Sequence, residues 1–400
     1  MLRMILVTVS VVLCFPQSSH PQVFRPDPSL GYTTYQHESG DWGGIYYKER
    51  SGTDRFVLQI YNLKYCSMDI LLFGIRSMGN WDGLYNSNNV NPYFYKMDHD
   101  SAYALYKYMY SEKVLSLTNG AFFEAPAETS YTKLAYPLQY GGIVMSSGGS
   151  PYGPIGGRYP LKVLQISDSS VEIQGYDYEN CLAMRNATFP TQIVTLNYLS
   201  HPNVKDYPQL LGGYKNRYHL LTALDCDNES GNETIVILSS NFEMSICELA
   251  REMKRLHPSI KDENILTLDG GSSISIQDRN GKTIIEPGNG VKVPMYLGFR
   301  LREKRGSNAP KLMNPKKNEV VNSNRPYYIF YFSKDETNDF ELYQNGILLS
   351  KLDDSGLASH KGLFVWNPTS CKPGANYQVK IRSSTGLETY SECFIVGKEN

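Results

Sequence analysis

The chain has 400 residues, 41% of them hydrophobic, and its 39 basic and 40 acidic residues leave a net charge of -1. That length exceeds what one core ordinarily supports, so two domains are expected. The charge balance supplies no long-range field for nucleic acid or an anionic membrane, so neither partner is suggested, while small ligands stay open.

The first predicted element is MLRMILVTVSVVLCFPQSSHPQ, in which Arg3 precedes an apolar run from Met4 to Phe15 that Pro16 and small polar residues break. This is the pattern of a secretory signal, residues 1–19, with cleavage near Ser18 or Ser19. No other apolar segment reaches the roughly 18 residues that cross a bilayer, so the mature chain is expected to be soluble, without a transmembrane segment, and secreted or lumenal. Cleavage removes Cys14 and leaves Cys66, Cys181, Cys226, Cys247, Cys371 and Cys393. An even number in a secreted chain favours disulfides, and Cys371 with Cys393 is the pair assigned, because both lie in the last segment. Asn186-Ala-Thr188, Asn228-Glu-Ser230 and Asn232-Glu-Thr234 are glycosylation acceptor triplets. No pattern along the chain specifies an oligomeric state.

From Gln22 to Tyr110 the chain is crowded with tyrosine. Stacked rings suit the apolar face of a pyranose, but tyrosine is also an ordinary strand and core residue. Further on, ETIVILSS (Glu233 to Ser240) reads as a buried strand. Ser245-Ile-Cys-Glu248 is a capping box, and Met244 with Leu249 can form a hydrophobic staple. Ile246, Leu249, Ala250, Met253 and Leu256 follow at helical spacing, so a helix is predicted from Ser245 to about Leu256, ended by His257-Pro258. ILTL (Ile265 to Leu268) is a second buried strand, and strand, helix and strand together read as a crossover unit. Asp269 then stands at the carboxyl end of a central strand, where such sheets open a ligand crevice. Gly270 and Gly271 clear side chains from that spot, and their N–H groups are expected to form an anion-holding nest with Ser272 and Ser273. A hairpin across Asn280-Gly281 follows.

Residues 301–320 lose apolar periodicity and collect Lys, Arg, Asn and Pro, which marks a basic linker; inside it, Arg302-Glu-Lys-Arg305 is either solvated or a convertase cleavage site. Strands at YYIFYF, FELYQ, ILLSKL, LFVW, YQVKI and CFIV predict a small β-sandwich over 321–400. The phrase PGANYQVKIRSSTG resembles the late strands of fibronectin III or immunoglobulin-like modules, with Tyr377 in the tyrosine position. It implies an accessory role such as adhesion, glycan contact or spacing.

Leu268-Asp-Gly-Gly-Ser-Ser273 resembles the LDGGGS signature of the phosphodiester glycosidase domain family, the family of N-acetylglucosamine-1-phosphodiester alpha-N-acetylglucosaminidase. Leu117-Thr-Asn-Gly-Ala-Phe-Phe123 is similar to its NGGFF stretch, and GGIVMSSGG (Gly141 to Gly149) to its Gly-rich segment; the similarity spans about Leu115 to Arg300. The resemblance implies an α+β fold, with a mixed β-sheet core and helices, over 20–300. It also implies hydrolysis of a sugar-1-phosphodiester at the anomeric carbon. Asp269 is then the carboxylate, as base, nucleophile or oxocarbenium stabiliser, and Asn119 a hydrogen-bonding group for a sugar hydroxyl or acyl group. Phe122 and Phe123 would shape the wall, with Ser272, Ser273 and the glycine backbone holding oxygens. Glu124, Asp225 and Asp227 are reserve carboxylates. Leu221-Thr222-Ala223 stands where the family reads RTA, so the phosphate-meeting Arg is absent and Arg217 or His219 would have to substitute. Ala121 and Ser272 also replace family glycines. An inactive carbohydrate-binding or adhesion protein on the same fold is the alternative. No cofactor is called for; a divalent cation on the local carboxylates is open, but no ligand spacing demands one.

Overall fold

The computed structural model describes residues 23–76, 92–110, 113–123, 130–140, 143–148, 160–176, 189, 191–205, 214–226, 231–302, 309–324, 326–333, 338–352 and 363–397. The signal, Cys14, Cys181, Asn186, Asn228, Asp227, Glu124 and all but Arg302 of the basic tetrad lie outside them. Strands account for 53% and helices for 14%, with three α-helices among the described residues, so the expected α+β class is corrected to a mostly β fold of several small antiparallel sheets. The cause lies in the pairing. Nearly every strand meets its neighbours antiparallel, through hairpins or sheet changes that need no helix between them.

Two sheets face each other at the centre. One runs Thr33–Gly40, Gly43–Ser51, Asp54–Asn62, Thr234–Ser240, His219–Leu224 and Leu266–Leu268; the other runs Thr283–Ile285, Ile276–Asp278, Val114–Asn119, Met295–Leu301 and Cys66–Leu72. Ile45, Val57, Leu221, Ala223, Ile235 and Ile237 of the first meet Leu297, Phe299 and Ile276 of the second in one core. Tyr61 stacks on Phe299 across the gap, with ring centroids 3.7 Å apart. The tyrosines of the N-terminal quarter therefore go largely into packing: Tyr103, Tyr106 and Tyr110 of the helix His99–Tyr110 join this core as well.

The helix Ile246–Leu256 forms as its capping box predicts: the Glu248 N–H donates to Ser245 Oγ (3.2 Å) and the Ser245 N–H donates to Glu248 Oε2 (3.1 Å). Its stripe of Ile246, Leu249, Ala250 and Met253 packs on Leu220, Leu224, Val236 and Leu238, on the outer face of the first sheet. It does link two parallel strands, since Thr234–Ser240 and Leu266–Leu268 are each antiparallel to His219–Leu224, which lies between them. The second of these is not a central strand. It is three residues long and ends the sheet, buried because Thr195 of a third sheet donates to the Thr267 carbonyl (2.5 Å) and Asn197 bridges to Leu266.

The C-terminal strands form two sheets, Lys311–Leu312, Tyr327–Phe332 and Leu363–Trp366 against Val320–Asn322, Phe394–Gly397, Gly374–Ser383, Asn338–Gln344 and Ile347–Leu352. The Tyr377 hydroxyl donates to the Lys372 carbonyl (2.7 Å), the bond of a tyrosine corner. Part of the expected linker belongs to this unit: Lys311 pairs with Phe332, and the buried Asn314 side chain donates to Tyr328 O (2.6 Å) and accepts from Phe330 N–H (2.7 Å). Met313, Tyr328, Phe330 and Val365 also join the central core. Cys371 and Cys393 are free thiols, which corrects the assigned disulfide. The register pairs Tyr377 with Phe394, so Cys393 sits exposed beside the middle of Gly374–Ser383, while Cys371 lies in the turn before that strand begins.

Candidate functional site

The two sheets bring the sequence motifs together where Val114–Asn119 and Leu266–Leu268 end. The Asp269 N–H donates to the Gly120 carbonyl (3.0 Å), and Asn119 Nδ2 donates to the Asp269 carbonyl (2.7 Å), so segments 150 residues apart share an edge. Asn119 Oδ1 accepts from the Ser275 N–H (2.8 Å) and lies 2.8 Å from His219 Nε2. Fully buried and with both side-chain polar atoms engaged, Asn119 ties the loop down rather than meeting a sugar, which corrects the role the resemblance implied.

Asp269 as a residue is half-buried, yet its Oδ2 is out of contact with solvent and has no hydrogen-bond partner among the described residues. Burial pushes its pKa from the ordinary 3.8 up to about 7, with the Ser273 hydroxyl and the Gly270 N–H pulling the other way. A carboxyl group so placed exchanges a proton near neutral pH.

The glycines are explained by a close backbone approach. A Cβ on Gly270 would lie 2.6 Å from the Arg217 carbonyl oxygen, and Gly271, at φ +63°, donates its N–H to that same oxygen (2.9 Å). The Ser273 N–H donates to the Gly270 carbonyl (3.2 Å). These donors are spent on the protein, so the expected anion nest is not formed. Ser272 is exposed on the rim, and its carbonyl accepts from the Gly288 N–H (2.6 Å).

Register decides which residue neighbours Asp269. His219 pairs with Leu268, whereas Leu221 pairs with Leu266, about 7 Å further from the site and within the apolar core. Thr222 points to the opposite face, the side of Leu220 and Leu224, away from Asn119. The cation beside the turn is Arg217: half-buried, its Nη1 reaches the Glu286 carbonyl (2.8 Å) on the far side of Gly271–Ser273. His219 is fully buried and its pKa falls to about 3, from desolvation first and the Arg217 charge second.

Phe122 packs edge-on to Tyr136 (5.7 Å) and 5.9 Å from His201, which meets Tyr218 at 5.8 Å. Phe123 bridges to Leu134 and packs on the central core. His201 and Tyr218 escape sequence reasoning; a lone His before Pro202 carries no signal, and only the fold sets it against Phe122. Asn232, half-buried, pairs with Val171 at the start of its strand. Among the described residues no group of three His, Cys, Asp or Glu could hold a metal ion, and no helix is long and apolar enough to cross a membrane.

No family model and no curated protein matches this chain. Among solved structures it is similar to a hypothetical protein from Synechocystis, with 12% identity over 68% of this chain and 64% of that one at a TM-score of 0.37. It is also similar to a biofilm associated protein BSP domain, with 10% identity over 89% and 66% at a TM-score of 0.18. The chain thus spans just under two thirds of either structure, and similarity this low carries no functional argument.

Proposed function

We propose that the protein is a glycosidase of the secretory route that hydrolyses a sugar-1-phosphodiester, of the N-acetylglucosamine-1-phosphodiester kind, at the anomeric carbon. The observation that carries the reading is the Asp269 carboxyl: buried and unpartnered at Oδ2 among the described residues, pushed up to about 7, and followed by a glycine turn whose Gly271 N–H donates to the Arg217 carbonyl. A base with a pKa near the working pH is efficient at taking a proton from water.

In this mechanism substrate binding opens the turn that keeps Oδ2 from solvent in the free protein, and the Asp269 carboxylate accepts a proton from water as the water oxygen bonds to the anomeric carbon. The bond from that carbon to the phosphate oxygen breaks, and its electron pair leaves on the phosphate monoester. Arg217 offsets the charge of that leaving group. Phosphate monoester leaves readily, so a second carboxyl acid of the usual glycosidase pair is dispensable. Phe122 gives the pyranose an apolar face, and the exposed Ser272 hydroxyl supplies a polar contact at the rim.

The test is sugar release from a GlcNAc-1-phosphodiester by the purified protein. Wild type turns over; Asp269→Asn falls by at least about a hundredfold in kcat, the scale of a lost general base. Arg217→Met raises KM more than it lowers kcat if the guanidinium holds phosphate in the ground state. A second reading, glycan binding without turnover, is favoured by Leu221, which fills core where the family sequence has its guanidinium. Wild type and Asp269→Asn equally silent, with glycan binding intact in both, would establish that reading instead.

A further inference from the structure

We infer that His219 is a positioning residue: held by Ser239 and fixed as the neutral Nε2–H tautomer, it locks Asn119 in the orientation that pins the Asp269 main chain. The inference deepens the reading of Asp269 just proposed and rests on it for any effect on turnover. The hydrogen bonds can be followed from two backbone groups whose roles are not in question. The Asp269 carbonyl only accepts, so the Asn119 atom 2.7 Å away must be its NH2; the Ser275 N–H only donates, so the Asn119 atom 2.8 Å away must be its oxygen. Both assignments agree on one amide orientation. His219 Nε2, 2.8 Å from that oxygen, therefore carries the proton, which leaves Nδ1 as the acceptor for the Ser239 hydroxyl at 2.5 Å. Thr118 cannot replace His219 as that donor, because its hydroxyl donates to the Ser275 carbonyl (3.0 Å) and is 3.4 Å from His219 Nε2.

The chain Ser239, His219, Asn119, Asp269 spans both central sheets, one member from each of four segments. Without the His219 donor, Asn119 keeps its bonds to the Ser275 N–H and the Asp269 carbonyl but loses the one that ties its oxygen to the opposite sheet. The loop then relaxes and admits water to the carboxyl tip.

The experiment uses the full chain with 15N-labelled histidine and carboxyl-13C-labelled aspartate, followed by NMR from pH 4 to 8. His219 is expected to hold the neutral Nε2–H tautomer throughout, and Asp269 to titrate near 7. His219→Gln, which keeps a side-chain N–H donor, leaves that midpoint within half a unit, and Ser239→Ala, which barely alters packing, and His219→Phe each lower it by one unit or more at unchanged fold. If His219→Phe does not fold, Ser239→Ala alone decides. The inference is overturned if His219 is the Nδ1–H tautomer or takes up a proton above pH 5. It is equally overturned if Ser239→Ala leaves the Asp269 midpoint where it was. These readouts do not require turnover, so a catalytically silent wild type would sink the enzyme reading and leave this one to be judged separately.

Discussion

Asp269 and the buried histidines His219 and His201 pull stability in opposite directions with pH. In the fold Asp269 keeps its proton to about pH 7, while in the unfolded chain it ionises near 3.8. Between those values the folded state binds the extra proton, so stability falls as pH rises from about 4 to about 7 and is level above. Asp269→Asn should therefore melt higher than wild type at pH 8, by an amount on the order of a few kcal/mol, with the difference vanishing toward pH 4. Thermal melts of both proteins across that range check this. A turn-building aspartate, whose side chain caps its own backbone, would give the opposite sign. His219 and His201 stay neutral to about 3 and about 4, against an ordinary 6.5. Their contribution is lost as pH falls below about 6.5, and two such groups outweigh one aspartic acid, so wild type is acid-labile between pH 6 and 4. Of these residues the sequence made Asp269 and Asn119 legible through their motifs. It also raised His219, but as a substitute cation. Burial reversed that role, because a desolvated imidazole gives up its charge.

At the scale of the element, the turn after Leu268 is set by backbone proximity. Gly270→Ala would drive a methyl into the Arg217 carbonyl at 2.6 Å, and Gly271→Ala would hold alanine at φ +63° with its Cβ 3.2 Å from Asn216 Nδ2. The second costs about 1–2 kcal/mol and the first more, because backbone rather than a flexible side chain must give way. Urea melts of the two variants measure the order. The helix Ile246–Leu256 was readable because its capping box and apolar stripe are both local, and Ser245→Ala should cost about 1 kcal/mol for the lost cap. The strand at Leu266–Leu268 was readable as buried but not as an edge. What covers it is Thr195 and Asn197, some seventy residues earlier, and no local pattern reports a partner at that distance.

Over the whole molecule, the strands of the C-terminal sandwich follow the alternation of the sequence closely, yet its relation to the rest was hidden. Basic and proline-rich composition around residue 310 signals a tether, whereas Met313, Tyr328, Phe330 and Val365 enter the same core as Leu117 and Phe299. Shared apolar burial couples unfolding, so calorimetry should record one transition for both units, in contrast to the two expected of domains on a flexible tether. Phe330→Ala should lower that single melting point by removing roughly 3–5 kcal/mol.

The chain also returns repeatedly between the two central sheets. Asp54–Asn62 finds its second neighbour only in Thr234–Ser240, about 170 residues later. At roughly 5–20 residues per second, a ribosome would leave that strand with one flank open for about 10–35 s. Its apolar face, Val57 and Tyr61 among it, stays uncovered for longer still, since Phe299 is made later again. Nascent chains should accordingly depend on holding factors until synthesis passes residue 300.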